Sequence, residues 1–161
     1  MLTMNYSTKQ LSALVIIRVL VGWHFAYEGL AKIFNPNWSA AMYLRDSQGF
    51  FSRFFINLAD SSAMPVVDLI NEWGLLLIGL GLMCGAFSRI ASVCGILILA
   101  LYSLSHPFFI GVQYVMPVDG NYLWIDRNII EMATLLVIFI FPTSQIIGLD
   151  RFIIKYVPKL V

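Results

Sequence analysis

The sequence predicts an all-α integral membrane protein built as a four-transmembrane-helix bundle. Composition is the first reason: the 161 residues are 60% hydrophobic and only 12% charged, with a mean hydropathy of +0.83. A soluble domain carries about 25% charged residues. The second reason is four long apolar segments, each bounded by Pro, Asn or Asp. The third is that the few charges inside those segments cluster toward one membrane face, as a built interior site requires. The whole chain, 1–161, reads as one domain. A net charge of +1 gives no electrostatic footprint for nucleic acid.

The elements follow in order. Span one runs over about 11–34 and stops at Asn35-Pro36. Arg18 breaks this run and Trp23-His24 follows, with no small-residue cleavage site, so it reads as a span and not as a cleaved signal. Span two covers about 65–87, with Ser61 or Ser62 as candidate caps before Pro65. Span three covers about 89–106, stopped by Pro107, and span four about 126–147, with Pro142 bending or ending its lower part. Twenty residues at ~1.5 Å each cross a ~30 Å hydrocarbon core.

Two segments are expected on the membrane surface. Phe51, Phe54, Phe55 and Leu58 fall at i, i+3, i+4 and i+7, an extracytoplasmic amphipathic helix in the first loop. It reads either as an interfacial anchor or as an aromatic lid over a site. At the other end of the chain, Arg151, Lys155 and Lys159 stand four apart beside Phe152, Ile153 and Tyr156. That predicts a basic interfacial helix on anionic cytoplasmic lipid, with no catalytic role. One side of the membrane collects Lys9, Arg89, Arg151, Lys155 and Lys159; the other has Arg45, Arg53, Lys32 and Arg127. The basic excess places both termini in the cytoplasm and the charged layer toward the periplasm or cell exterior.

Depth arithmetic locates that layer. Glu28 lies seven residues before Asn35, Glu72 seven after Pro65, and Glu131 five after Asp126. At ~1.5 Å per residue, all three carboxyls sit roughly 8–10 Å inside the outer boundary. Lys32 stands one turn from Glu28 and Arg127 one turn from Glu131. Asp68 shares a face with Glu72, in the first turn where the helix dipole favours an anion. A mid-bilayer charge costs roughly 2.5–3.5 kcal/mol, so such a layer marks a ligand or proton site or an ion-pair network that sets helix register.

The remaining polar residues divide the alternatives further. Arg18, about 15 Å below Glu28, either snorkels to cytoplasmic headgroups or packs inside the bundle. His24 and His106 stand at unequal depths, which argues against axial haem ligation. His24, one turn from Glu28, extends a proton path or makes one helix contact. Cys84 and Cys94 form no CxxC, and no clustered set of four metal ligands appears. Gly74, Gly79, Gly81, Gly85 and Gly95 read as close-packing positions. No GxGxxG, P-loop or Ser/His/Asp pattern is present. The sequence therefore carries no metal, haem or flavin signature.

Three blocks resemble the DoxX/DoxD family: Arg18-Val-Leu-Val-Gly-Trp-His-Phe-Ala-Tyr-Glu-Gly-Leu-Ala-Lys32, Glu72-Trp-Gly-Leu-Leu-Leu-Ile-Gly-Leu-Gly-Leu running into Phe87-Ser-Arg89, and Asn128-Ile-Ile-Glu131. Their order agrees with the family over about Leu11 to Gly148. The resemblance implies a four-helix membrane bundle and kinship with the membrane subunit of thiosulfate:quinone oxidoreductase and with family members that work beside soluble redox enzymes. By position it carries over Arg18, Glu28, Lys32, Glu72, Arg89 and Glu131. The long Phe-rich first loop departs from the family pattern.

The leading expectation is a quinone-linked redox subunit with a polar cavity in the outer leaflet. Glu28, Glu72 or Glu131 would handle protons, and Lys32 or Arg127 would polarise a quinone oxygen, with His24 and His106 as further head-group contacts. Trp23, Tyr27, Trp73 and Trp124 either wall the ring or form an interfacial belt. Arg18, Asp68 and Arg89 are assigned structural roles. Electrons would come from a soluble periplasmic oxidoreductase or a small reductant. Besides lipid and that enzyme, a homo-oligomer is the other partner considered. The alternative from a different class is a non-enzymatic scaffold that docks a periplasmic enzyme. A transporter is disfavoured, because the inner half offers little polar beyond Arg18.

Overall fold

In the computed structural model, residues 6–107, 114–115 and 125–155 are described, and the secondary structure among them is helical. Helix α1, Thr8–Ile33, opens with a reciprocal capping box: the Ser7 hydroxyl accepts from Gln10 N–H and the Gln10 side chain accepts from Ser7 N–H. Its 26 residues span roughly 39 Å, enough to cross the bilayer with tilt. The chain turns out of the helix at Phe34, just before Asn35-Pro36.

The first loop folds into a small cap of two helices, α2 (Ala41–Arg45) and α3 (Ser52–Ala59). The expected amphipathic face divides. Phe55 and Ala59 bury against Leu44, with Leu58, Tyr43, Met64 and Val67 around them, while Phe51 and Phe54 stay exposed. The four residues at helical spacing are thus not one membrane-facing stripe: half of the stripe makes the cap's own core.

The second span comprises α4 (Met64–Leu69), a π-helical turn (Ile70–Gly74) and α5 (Leu75–Cys84), 21 residues in all. Neither expected serine caps it. Ala63 is the N-cap, and the Ser61 hydroxyl instead accepts from Ala63 N–H while donating to the Leu58 carbonyl. Asp68 lies beyond the first turn, and its carboxylate accepts from Ala40 N–H at 2.9 Å, tying the cap to the span. The C-terminus closes as a Schellman motif: Gly85 has φ +65, Gly85 N–H reaches the Leu82 carbonyl and Ala86 N–H the Gly81 carbonyl.

Helix α6, Ser88–Ser105, starts after Phe87, a non-glycine residue held at φ +50. The restraint comes from far along the chain: the Asp150 carboxylate accepts from Phe87 N–H (2.6 Å) and Ser88 N–H (3.1 Å). Helix α7, Arg127–Ile140, is capped by Asp126, whose carboxylate accepts from Ile129 N–H. It has 14 residues, roughly 21 Å, and Pro142 prevents continuation. A 3₁₀ turn at Thr143–Gln145 and the short helix α8, Asp150–Ile153, follow. Among the described residues, three helices are therefore long and apolar enough to cross a membrane: Thr8–Ile33, Met64–Cys84 and Ser88–Ser105. The fourth expected span is a shorter helix ended by proline. In the described part of the basic tail the helix covers Asp150–Ile153, and Tyr156 and Lys159 lie outside the described residues.

One apolar core joins α1, α5, α6 and α7 through Phe25, Leu75, Ile78, Leu82, Ala91, Leu99, Leu135 and Ile138. Helix α1 packs most closely on α5, α6 on α7. A Cβ added at Gly79 would lie 2.3 Å from the Ala26 nitrogen, so only glycine lets these two backbones meet. Away from the core the helices present large apolar side chains, Leu20, Leu77 and Leu97 among them, as contact with lipid requires.

Candidate functional site

The close α1–α5 contact and the α6–α7 pair leave a small, partly open cavity where the four helices converge. It has a volume of about 40 Å³ and is lined by His24, Phe25, Glu28, Lys32, Leu75, Leu99, Tyr102, Arg127, Asn128 and Glu131. That is room for a few waters. Helix α1 contributes His24, Glu28 and Lys32 from one face because they stand four residues apart. Helix α7 contributes Arg127, Asn128 and Glu131 from its first turns.

The polar groups interlock across the two helices. His24 Nδ1 lies 2.6 Å from Glu131 Oε1, and His24 Nε2 lies 3.9 Å from Glu28 Oε1. Lys32 Nζ donates to Glu28 Oε2 at 2.8 Å and to the Glu28 carbonyl at 3.3 Å, and it stands 5.5 Å over the Trp38 ring. A carboxylate, an imidazole, a second carboxylate and an ammonium thus form one chain from α7 to the end of α1. Glu131 is buried, and its second oxygen, Oε2, has no hydrogen-bond partner among the described residues. An ionised carboxylate is an acceptor only, so this oxygen calls for a donor. Such an arrangement can hold a proton and share it between Glu131 and His24, while Glu28, 3.9 Å from His24 Nε2, lies beyond direct hydrogen-bond reach.

Glu72 is not among the lining residues. It lies half-buried on the π-helical turn, so equal depth did not give it equal direction. The aromatics expected to wall a ring also point elsewhere: Trp23, Tyr27 and Trp73 are about half exposed on the outer surface and do not line the cavity. Trp124 lies outside the described residues. Among the residues expected to be structural, Arg89 stacks over the Phe139 ring at 6.0 Å. Arg18 is 2% exposed and does not snorkel; its guanidinium donates to Thr143 Oγ1 (3.0 Å) and the Ile147 carbonyl (2.7 Å).

His106 stands apart from the cavity, just past the end of α6, stacked on Tyr43 at 3.7 Å and tilted against Tyr114 at 4.6 Å. Its Nε2 is 3.9 Å from Asp46 Oδ2, and its Nδ1 is 3.2 Å from the Ser105 hydroxyl. Burial lowers the His106 pKa below its ordinary value, and Asp46 opposes that shift. Burial also raises the Tyr43 hydroxyl pKa far above the usual tyrosine range, so it stays protonated. Tyr43 packs edge-to-face on Tyr102, which lines the cavity, so the cap forms part of its surroundings.

Charge-based reasoning passed over Tyr102, Asn71 and Asn128. The Tyr102 hydroxyl donates to Asn71 Oδ1, and Asn71 Nδ2 donates to the Val67 carbonyl. Tyr102 and Asn128 line the cavity. Uncharged, they gave no signal in a search for submerged charges; a count of polar residues within one turn of the layer would have found Asn128, which precedes Glu131 by three positions.

These residues lie on a scaffold of recognisable kind. The family model described as DoxX matches residues 13–106, more than half of the chain. The chain belongs to the DoxX family. The match covers the three spanning helices and the cap, including His24, Glu28 and Lys32, and it ends before α7. The Asn128–Glu131 block therefore rests on its geometry here and not on the family match. No curated protein and no solved structure matches this DoxX chain.

Proposed function

We propose that this DoxX protein is the membrane subunit of a quinone-linked oxidoreductase, with the His24–Glu131–Glu28–Lys32 cluster as its proton-handling site. The observation that carries the reading is Glu131: buried beside a cavity, bonded to His24 through one oxygen, with a second oxygen lacking a partner among the described residues. A quinone would supply two-electron, two-proton redox chemistry. Its oxygen-bearing edge fits the polar lining, while a cavity of about 40 Å³ keeps the ring at the mouth.

The chain's own residues then do the following. Glu131 takes or returns the proton at the ligand oxygen; His24, 2.6 Å away, shares it; and Glu28 lies beyond at 3.9 Å. Lys32 holds Glu28 in place through its 2.8 Å bond. In this reading α7 and the turn after Pro142 complete a fourth crossing. Both termini lie in the cytoplasm of a bacterial inner membrane, and a soluble periplasmic oxidoreductase supplies the electrons. Single cysteines at Asn57 and Lys155, in a chain whose exposed Cys84 and Cys94 are replaced by Ala, test the orientation. An impermeant maleimide on intact cells should label position 57 only.

A second reading is a scaffold that docks a periplasmic enzyme. The cavity's small size and the mutual pairing of His24 with Glu131 and Lys32 with Glu28 favour it, since both pairs also fix helix register. Quinone titration of the protein purified in mild detergent separates the two: saturable binding supports the redox subunit, and its absence supports the scaffold.

A further inference from the structure

The cap leaves part of its apolar surface uncovered. Phe50 is 94% exposed, Phe51 and Phe54 are exposed beside it, and Phe50 meets Phe51 edge-to-face at 5.1 Å. The segment that carries these rings is pinned in place. Gly49 has φ +89, and a Cβ there would lie 2.7 Å from Pro107 Cγ, so only glycine lets the chain turn this close to the end of α6. The Ser47 hydroxyl and Gln48 N–H both donate to the Ser105 carbonyl, at 2.7 and 3.2 Å. On the other side of the cap, Ala40 N–H donates to Asp68, and Met64 and Val67 pack on the cap's core. The three rings are thus held at the height where two spans, Met64–Cys84 and Ser88–Ser105, leave the membrane.

Polarity shows which way this surface faces. On the helical wheel of α3, Phe51, Phe54 and Leu58 share one flank, while Arg53, Asn57 and Asp60 form a separate, exposed polar side. Asp60 on that side takes the exposed Arg45 guanidinium at 2.8 Å. A soluble protein approaching from water meets the polar side. The helix on which the cap packs, α4, exposes Val66, Leu69 and Ile70, so apolar surface continues from the lipid-facing span to the cap. Phe50, Phe51 and Phe54 are not among the residues lining the cavity, and the cap meets the cavity wall through Tyr43 on Tyr102 instead. The rings are therefore not the cavity's lid.

We infer that Phe50, Phe51 and Phe54 form a wedge that inserts into lipid, in the leaflet next to the cap. The rings enter the boundary between headgroups and acyl chains, roughly 5–10 Å deep. Arg53 stands at the level of the phosphates, and the polar side of α3 stays in water. The wedge fixes the height of the cap in the bilayer, and through Tyr43 that of the Tyr102 wall. It does not rest on the quinone reading.

The test uses the full-length protein in nanodiscs, with Cys84 and Cys94 replaced by Ala. Phe50→Cys, Phe51→Cys, Phe54→Cys, Arg53→Cys and Asn57→Cys are made singly and labelled with nitrobenzoxadiazole, and a thermal melt confirms that each is folded. Emission at the three Phe positions should be lost to phosphatidylcholine bearing a nitroxide high on its acyl chain, and spared by aqueous iodide. Emission at the Arg53 and Asn57 positions should show the reverse. Quenching of all five positions by iodide alone overturns the wedge and leaves the rings to a soluble partner. Protection of the three Phe positions from both quenchers overturns it in favour of a protein cover. Quenching of all five by the lipid alone overturns it as well, because α3 would then have no side in water.

Discussion

At the end of the bundle where α5 turns into α6, Asp150 gives both carboxylate oxygens to the backbone N–H groups of Phe87 and Ser88. In the other half of the bundle, Glu131 gives one oxygen to His24 and keeps the second unpaired among the described residues. Both acids are buried, and both face helix α1: Asp150 lies near Arg18, and Glu131 bonds His24. The first cluster is closed around its own backbone. Arg18 reaches Thr143 and the Ile147 carbonyl, and Asp150 N–H donates to the Gly85 carbonyl at 2.7 Å, so the turn after α5 and the segment before α8 clasp each other. Its leftover atoms, Arg18 Nε and the Ser88 and Ser144 hydroxyls, are donors or groups able to rotate. The second cluster surrounds a cavity and leaves a carboxylate oxygen over. Burial of charge alone does not separate a fastening from a site; whether its last valence is used does.

The largest effect is expected at the closed cluster. Asp150→Ala removes the cap of α6, frees the strained Phe87 turn and leaves Arg18 buried without its nearby anion, a loss of about 3–5 kcal/mol. Detergent-resistant folding, followed by a thermal melt, should fall far below wild type. Asp150→Asn, which keeps one acceptor, should fall less. Equal melting of Asp150→Ala and wild type would break the comparison, because the closed cluster would then not be holding the fold.

The next effect belongs to the open cluster and has the opposite signature. On the quinone-linked reading proposed above, Glu131→Gln should leave the melting temperature near wild type and lower turnover roughly 10²-fold, the scale of a lost general base. The measurement is turnover with the reconstituted soluble partner, normalised to folded protein. Loss of folding without a separate loss of turnover would make the two clusters the same kind of object.

These two clusters were not equally legible in the sequence. The i,i+4 spacing of Glu28 and Lys32 showed their pairing directly, since both stand on one helix. Counting residues from the helix ends also put Glu131 at the right depth. Counting gives height and not azimuth, however, and Glu72 shows the difference: it sits on a π-helical turn, whose i→i+5 pattern breaks the 100° step on which a face assignment rests. The His24–Glu131 bond was invisible because it joins residues 107 positions apart. Asp150 was missed for the same reason, its partners lying 62 and 63 positions earlier, at a turn whose geometry the αL conformations of Gly85 and Phe87 set. The three longest helices were read to within three residues at each end, because hydropathy and the Pro and Asn punctuation are local. The fourth was read too long, because Pro142 ends α7 where apolar residues continue.

A third experiment asks whether the two clusters are mechanically independent. Gly79 meets Gly22 and Ala26, which lie on α1 between Arg18 and Glu28. Gly79→Ala forces the α1 and α5 backbones apart and should cost about 1–3 kcal/mol, as overpacking does. Turnover per folded molecule should change less than in Glu131→Gln, because α1 carries His24 and Glu28 as a rigid unit. A turnover loss as large as that of Glu131→Gln would show that the spacing of α1 and α5 sets the site.

The smallest effect is expected at the cap, away from both clusters. His106 is buried between Tyr43 and Tyr114, and burial favours its neutral form more than Asp46 favours the charged one. Its folded pKa is therefore below the unfolded value of about 6.5. Above that value both states are neutral and the group contributes no pH slope. As pH falls below it, the unfolded chain takes up the proton first, and the folded state loses stability until His106 itself charges at its lower folded pKa. The groups facing the imidazole are Tyr43 and Asp46 from the cap, Tyr114 from the connection to α7, and Ser105 beside it. His106→Gln should flatten the acid side of the melting profile measured from pH 7 to pH 5, leaving the neutral side shifted but level. A wild-type profile that steepens on acidification equally with and without His106 would assign the slope to other groups. A profile that rises toward acid pH in the wild type alone would mean that Asp46 outweighs burial, making the cap joint a third polar cluster, closed by protonation.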